Sequence, residues 1–196
     1  MIVSDKTETK YTPVDAGMHI ARCYMIAELG IQKSNNPSYN DAPKLMIGWE
    51  LIDSTIEIDG EELPRVMSRE FTSSIGPKAN LRKVLASWRG RDFTAAELES
   101  FDLDTIVGAP CYLNVVQKTS GDKTYANIES VVPLPAGIEC PKGQLPPIAY
   151  DLADGDPPEA IPAWIRDKIA KRVIDEPAPT LPSAPVEKDD DTDLPF

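Results

Sequence analysis

Residues 65–91 hold Arg65, Arg69, Lys78, Arg82, Lys83, Arg89 and Arg91 against Glu70 alone, a basic enclave in a chain whose formal net charge is −12. Grouped guanidinium and ammonium ions attract polyanions, so where the charge sits matters more than its sum. Binding an unpaired nucleic-acid strand needs such cations for its phosphates and aromatic faces for its bases, each stacked base being worth about 1 to 3 kcal/mol. Phe71 shares the alternation of Arg65 and Arg69. Tyr112 and Tyr125 interleave with polar residues beside Lys118 and Lys123, and Lys33 and Tyr39 fall in a polar stretch over 30–43. The candidate contact set is therefore Lys33, Tyr39, Arg65, Arg69, Phe71, Lys78, Arg82, Arg89, Tyr112, Lys118, Lys123 and Tyr125. Trp49 and Trp88 lie on apolar stripes and are assigned to the core, and Lys83 to a solvated face.

These residues need a scaffold. An apolar, β-compatible run over 18–28 reads as a first strand, followed by the polar loop 30–43. Residues 44–58 form a second strand with Leu45, Ile47, Trp49 and Leu51 on one face, and Asp59-Gly60 supplies a hairpin turn into a third over 61–72. There Arg65, Met67, Arg69 and Phe71 point one way and Val66, Ser68, Glu70 and Thr72 the other. Pro77 opens a helix that Gly90 stops. Leu81, Val84, Leu85 and Trp88 make its apolar stripe, with Lys78, Arg82 and Arg89 grouped beside it, either as phosphate contacts or equally as a solvated helix face. A capping box of Thr94 with Glu97 starts a short helix over 94–101. Residues 110–118 and 124–132 are the fourth and fifth strands, with Cys111, Leu113 and Val115 on one face and Tyr112, Asn114 and Val116 on the other. This order predicts a mainly β protein: a five-stranded OB-fold barrel with a helix between strands 3 and 4, the small Greek-key barrel that binds oligonucleotides. A short C-terminal helix and a disordered acidic tail complete the expected fold.

Most of the 19 prolines fall beyond Val132, so the globular part is expected to end near Leu134. The chain divides into an N-terminal segment at 1–17, the barrel at 18–134 and a Pro/Asp-rich extension at 135–160. A short amphipathic helix at 161–173, a linker at 174–188 and an acidic tip at 189–196 follow. The helix, with Ile161, Trp164, Ile165 and Ile169 at helical spacing, is expected to dock on the barrel, the alternative being that it binds a partner or contacts DNA. Cys23, Cys111 and Cys140 are too scattered for a disulfide framework or a zinc site. His19 has no nucleophile or carboxylate at a recognisable spacing, and there is no Gly-rich phosphate loop, so a non-enzymatic protein without cofactor or metal is expected. No apolar run approaches the ~20 residues of a membrane span, and the start lacks a signal-peptide core, which implies a cytoplasmic protein.

The last residues are Asp189, Asp190, Asp191, Thr192, Asp193, Leu194, Pro195 and Phe196. Crowded carboxylates and the upstream prolines keep such a segment solvated and extended. A ring stiffened by Pro195 and carrying a terminal carboxylate can enter a partner's pocket beside an Arg or Lys. This end resembles the C-terminal tip of bacterial single-stranded DNA-binding proteins, an Asp run closing in Ile-Pro-Phe, and phage-encoded members of that family also end in acidic residues and an aromatic. The resemblance covers Asp189 to Phe196, with Leu194 in place of Ile and Thr192-Asp193 interrupting the run. It implies a protein that coats single-stranded DNA in replication, recombination or repair and recruits partner proteins through Asp189, Asp190, Asp191, Asp193, Leu194, Pro195 and Phe196. It also points to a phage or prophage origin, hence a host cytoplasm. Homo-oligomerisation is compatible with it. The alternative is an adaptor that contacts no DNA and uses the tip to capture partners of the host's own protein.

Overall fold

The computed structural model describes residues 12–38, 40–58 and 60–174. The predicted tip, the predicted linker after Ile174, Tyr39, and Asp59 of the predicted turn lie outside the described residues. Five long strands are β1 (Gly17–Gln32), β2 (Ala42–Ile58), β3 (Glu61–Thr72), β4 (Pro110–Ser120) and β5 (Lys123–Val132). They form one antiparallel sheet in the order β3-β2-β1-β4-β5. The sheet curls into a half-barrel, helped by register shifts within β1 at Cys23/Met25 and Glu28/Gly30, where a bulged strand bends and twists more strongly. Between β3 and β4 lie α1 (Asn80–Arg89) and α2 (Ala95–Glu99). The expected mainly β architecture, with a helix after the third strand, is present.

The concave side is filled by period-2 apolar residues. Leu45, Ile47, Trp49 and Leu51 of β2 meet Cys111, Leu113 and Val115 of β4, Ile128 and Val131 of β5, and Phe71 of β3. Helix α1 closes this core with Leu81, Val84, Leu85 and Trp88, the stripe its sequence spacing specifies. Trp88 Nε1 donates to Pro110 O at 2.9 Å, and its ring lies 5.9 Å from that of Trp49. Gly90 ends the helix at φ +68, a left-handed cap that favours glycine. Thr94 and Glu97 form the expected capping box on α2.

The convex side departs from expectation, because the packed structure continues past Leu134. A short strand β6 (Ile148–Tyr150) pairs parallel to β1, and α3 (Ala163–Ala170) follows. Ile148, Tyr150, Ile161, Ile165 and Ile169 cover Tyr24, Met25, Ala27, Leu29 and Met46 in a second core on the outward face of β1 and β2. The prolines punctuate this segment without unfolding it, since its apolar residues still find a sheet face to bury. β1 is accordingly longer than predicted and buried on both faces. The predicted docking of the helix is observed, with Trp164 left 51% exposed on its free side. Gly30, at φ +71, gives Arg172 room to pack, and Val173 N donates to Ile31 O at 2.7 Å.

Two polar anchors fasten the extension. Glu50, only 1% exposed, accepts from Gln144 N at 2.7 Å and Leu145 N at 3.2 Å, with Gly143 clearing space for the carboxylate. Arg22 donates to Gly108 O at 2.6 Å, Cys140 O at 3.1 Å and Pro141 O at 3.0 Å. Among the described residues no helix is long and apolar enough to cross a membrane.

The thiols give a direct check on this packing. Burial pushes the Cys23 thiol up to about 12 and raises that of Cys111, whereas Cys140 is partly exposed. Thiolate is the reactive form. A disulfide reagent at mildly alkaline pH is therefore expected to titrate one thiol of the native protein quickly and the other two only after denaturation. Three equally fast thiols would contradict the core described above.

Candidate nucleic-acid interface

The candidate site follows the free edge of β3. Its first part is a hollow of about 400 Å³ on the outward side, lined by Lys33, Asn35 and Asn40 from the β1–β2 loop and by Lys44, Glu70 and Thr72. Lys44 and Thr72 are directly paired across β2 and β3, and Lys44 Nζ donates to Thr72 Oγ1 at 3.0 Å. The loop is shaped by its own side chains: Asp41 Oδ1 accepts from Ser34 N and Asn36 Oδ1 from Ser38 N, both at 2.9 Å.

A second hollow of about 360 Å³ shares Lys44, Glu70 and Thr72 with the first and adds Arg69, Ser74, Lys78 and Asn80. Lys78 sits in the turn before α1, where Ala79 N donates to Gly76 O at 2.9 Å. A third hollow of about 420 Å³ lies between β3 and β5 and shares Arg69, with Ser68, Lys118, Asn127 and Glu129 on its walls. Arg69 reaches across this gap to donate to Ile128 O at 3.4 Å, its guanidinium 5.2 Å from the centre of the Phe71 ring. The shared residues join the three hollows into one trough. It starts at the loop, turns round the β3 edge and ends between β3 and β5.

Five cations line the trough: Lys33, Lys44, Arg69, Lys78 and Lys118. Two carboxylates share it, Glu70 and Glu129, and Glu70 is ion-paired to Lys168 of α3. Concave walls of low dielectric concentrate a field of one sign, so these cations outnumber and outweigh the carboxylates locally despite the acidic total.

No protein-family model matches the chain, and no curated protein sequence does. The trough's geometry carries the functional reading.

Of the predicted contact residues, the structure brings Lys33, Arg69, Phe71, Lys78 and Lys118 to the trough. Phe71 reaches the wall of the second hollow but is 3% exposed and packed in the concave core, so its ring offers no open face to a base. Several others go elsewhere. Arg65 lies further along β3 and donates to Thr55 O and Thr12 O, each at 3.0 Å. Arg82 grips Asp92 through Nε at 3.2 Å and Nη2 at 3.0 Å. Arg89 pairs with Glu97 and lies 4.7 Å and 5.1 Å from the ring centres of Phe93 and Phe101, a structural cation. Arg91 also holds Glu97, and these partners draw the Glu97 carboxyl well below the usual range.

Tyr112 and Tyr125 do not join Arg65 and Arg69 on one concave surface. They alternate with the buried residues of β4 and β5 while both arginines share the inward face of Phe71, and neither ring lines the third hollow, although Lys118 and Asn127 of the tyrosines' own face reach its rim. Tyr125 stands 51% exposed opposite Lys118, and Lys123 lies at the hairpin end opposite Ser120.

Sequence reasoning missed Lys44. Its signal was parity: it alternates with Leu45 and Ile47 on a strand whose opposite face was already assigned to the core. His19 also differs from expectation, since Asp53 places a carboxylate oxygen 3.3 Å from Nδ1 and Asp15 O lies 2.9 Å from Nε2. Asp53 sits where the β2–β3 register shifts, and Ile20 N also donates to it at 3.3 Å, so the pair tethers β1 to that irregular stretch.

Proposed function

We propose that this chain binds single-stranded DNA along the β3 trough and serves to coat it, with Asp189 to Phe196 as a docking sequence for replication or repair proteins. The observation that carries the proposal is the joining of three hollows into one path lined by Lys33, Lys44, Arg69, Lys78 and Lys118. Spaced cations along a groove are what a phosphodiester backbone requires. The path turns round a strand edge, which a flexible single strand can follow and a duplex, stiff over some 150 base pairs, cannot. The strand order supports an OB-type barrel in its open form, because bringing β3 to β5 across the gap that Arg69 spans would complete five strands.

Five phosphate contacts on a single strand correspond to a slope of about −3.5 in log affinity against log salt. Titration of fluorescent oligo-dT is expected to show that slope, with about a 100-fold loss of affinity for a four-fold rise in salt. Affinity indifferent to salt would defeat the proposal. Failure to bind at low salt, with capture of replication proteins retained, would select the adaptor instead.

A further inference from the structure

Glu70 is the carboxylate that lines both the loop-side hollow and the one beside Lys78. Bare, it would repel a phosphate and draw a neighbouring cation to itself. Instead Lys168 Nζ donates to Glu70 Oε2. Lys168 lines neither hollow and belongs to α3, whose Ile165 and Ile169 are buried in the convex core. Its backbone is also held. Gln32 Nε2 donates to Lys168 O at 3.1 Å and to Leu29 O at 2.7 Å, fixing the helix against the end of β1.

We infer that Lys168 is a positioning residue for the trough: from outside it, the docked helix neutralises Glu70 and so sets the charge that a strand meets. The inference rests on the reading that the trough binds nucleic acid. The two effects are reciprocal, so a strand that binds better when Glu70 is masked must favour the docked helix to the same degree.

Oligo-dT titrations at about 50 mM salt test this with the full chain, Lys168→Ala, Glu70→Gln and the double variant. Lys168→Ala is expected to weaken binding about three- to five-fold. In the Glu70→Gln background the same change should matter by less than about two-fold, and Lys168→Arg should restore binding in the native background. Trp164 on the exposed side of α3 reports through its emission whether the helix stays docked. If that emission shifts in Lys168→Ala, the exchange of Glu70→Lys with Lys168→Glu keeps an ion pair, and failure of the exchange to restore binding overturns the inference. Equal loss in both backgrounds makes Lys168 a direct phosphate contact and overturns it, as does loss in neither. A wild-type chain that ignores oligo-dT overturns the trough reading and this inference together. Wild-type binding without coupling removes the inference alone.

Discussion

Replacing Lys44, Arg69 and Lys78 together with Ala is expected to weaken oligo-dT binding at least about 100-fold at low salt and to flatten the salt slope to about −1.4. The three occupy the middle of the trough, and two of them, Lys44 and Arg69, line the junctions between hollows. Removing them leaves only Lys33 and Lys118, which line different hollows. Arg82→Ala removes the same single charge as Lys78→Ala from the basic enclave and is expected to change affinity by less than about two-fold, because Asp92 already engages it. Affinity is therefore predicted to follow position along the β3 edge and not the count of cations. Arg69 also bridges β3 to β5, so the Lys44→Ala, Lys78→Ala double variant serves as a version that leaves the bridge intact, with a loss of at least about ten-fold expected. Full affinity in either variant would remove the trough from consideration.

The sequence revealed which face of a strand a side chain takes, but not what that face meets. Parity put Arg65, Arg69 and Phe71 on one side of β3 correctly, yet the side is core at Phe71 and open gap at Arg69, because the sheet curls and β5 does not close on β3 there. Helical spacing grouped Lys78, Arg82 and Arg89, but a wheel is blind to partners supplied by the following turn. Asp92 and Glu97 fold back onto α1 and claim Arg82 and Arg89, while Lys78 escapes because it precedes the helix. Predicting that one concave surface would gather Arg69 with Tyr112 and Tyr125 required knowing how β4 and β5 present their faces relative to β3. That is fixed by tertiary curvature and not by any local pattern.

The fold was more legible than the site. The third strand has the predicted bounds, the helix stripe is buried residue for residue, and the capping box forms, since each follows from local periodicity or backbone chemistry. The packing of the extension is hidden in the sequence because its proline density speaks for unpacked chain. Its apolar residues are widely spaced, and only Ile161, Ile165 and Ile169 keep a recognisable interval. What they cover was equally hidden. Tyr24, Met25, Ala27 and Leu29 make β1 apolar on both faces, and a strand buried on both faces loses the alternation by which its solvent side would be recognised.

Ile169→Ala is accordingly expected to destabilise the whole protein by about 2 to 5 kcal/mol, measured as a lower urea midpoint with an unchanged slope. Ile169 is 1% exposed, and with Ile161 and Ile165 it fills the convex core against the sheet. Truncation there leaves a cavity among the side chains of that convex core. Trp164→Ala, on the exposed side of the same helix, should stay within about 0.5 kcal/mol. Similar losses at both sites would mean the helix is not anchored by its isoleucine face. A loss at Ile169 alone makes α3 part of the fold's cooperative unit, and gives its ion pair with Glu70 a rigid base from which to act on the trough.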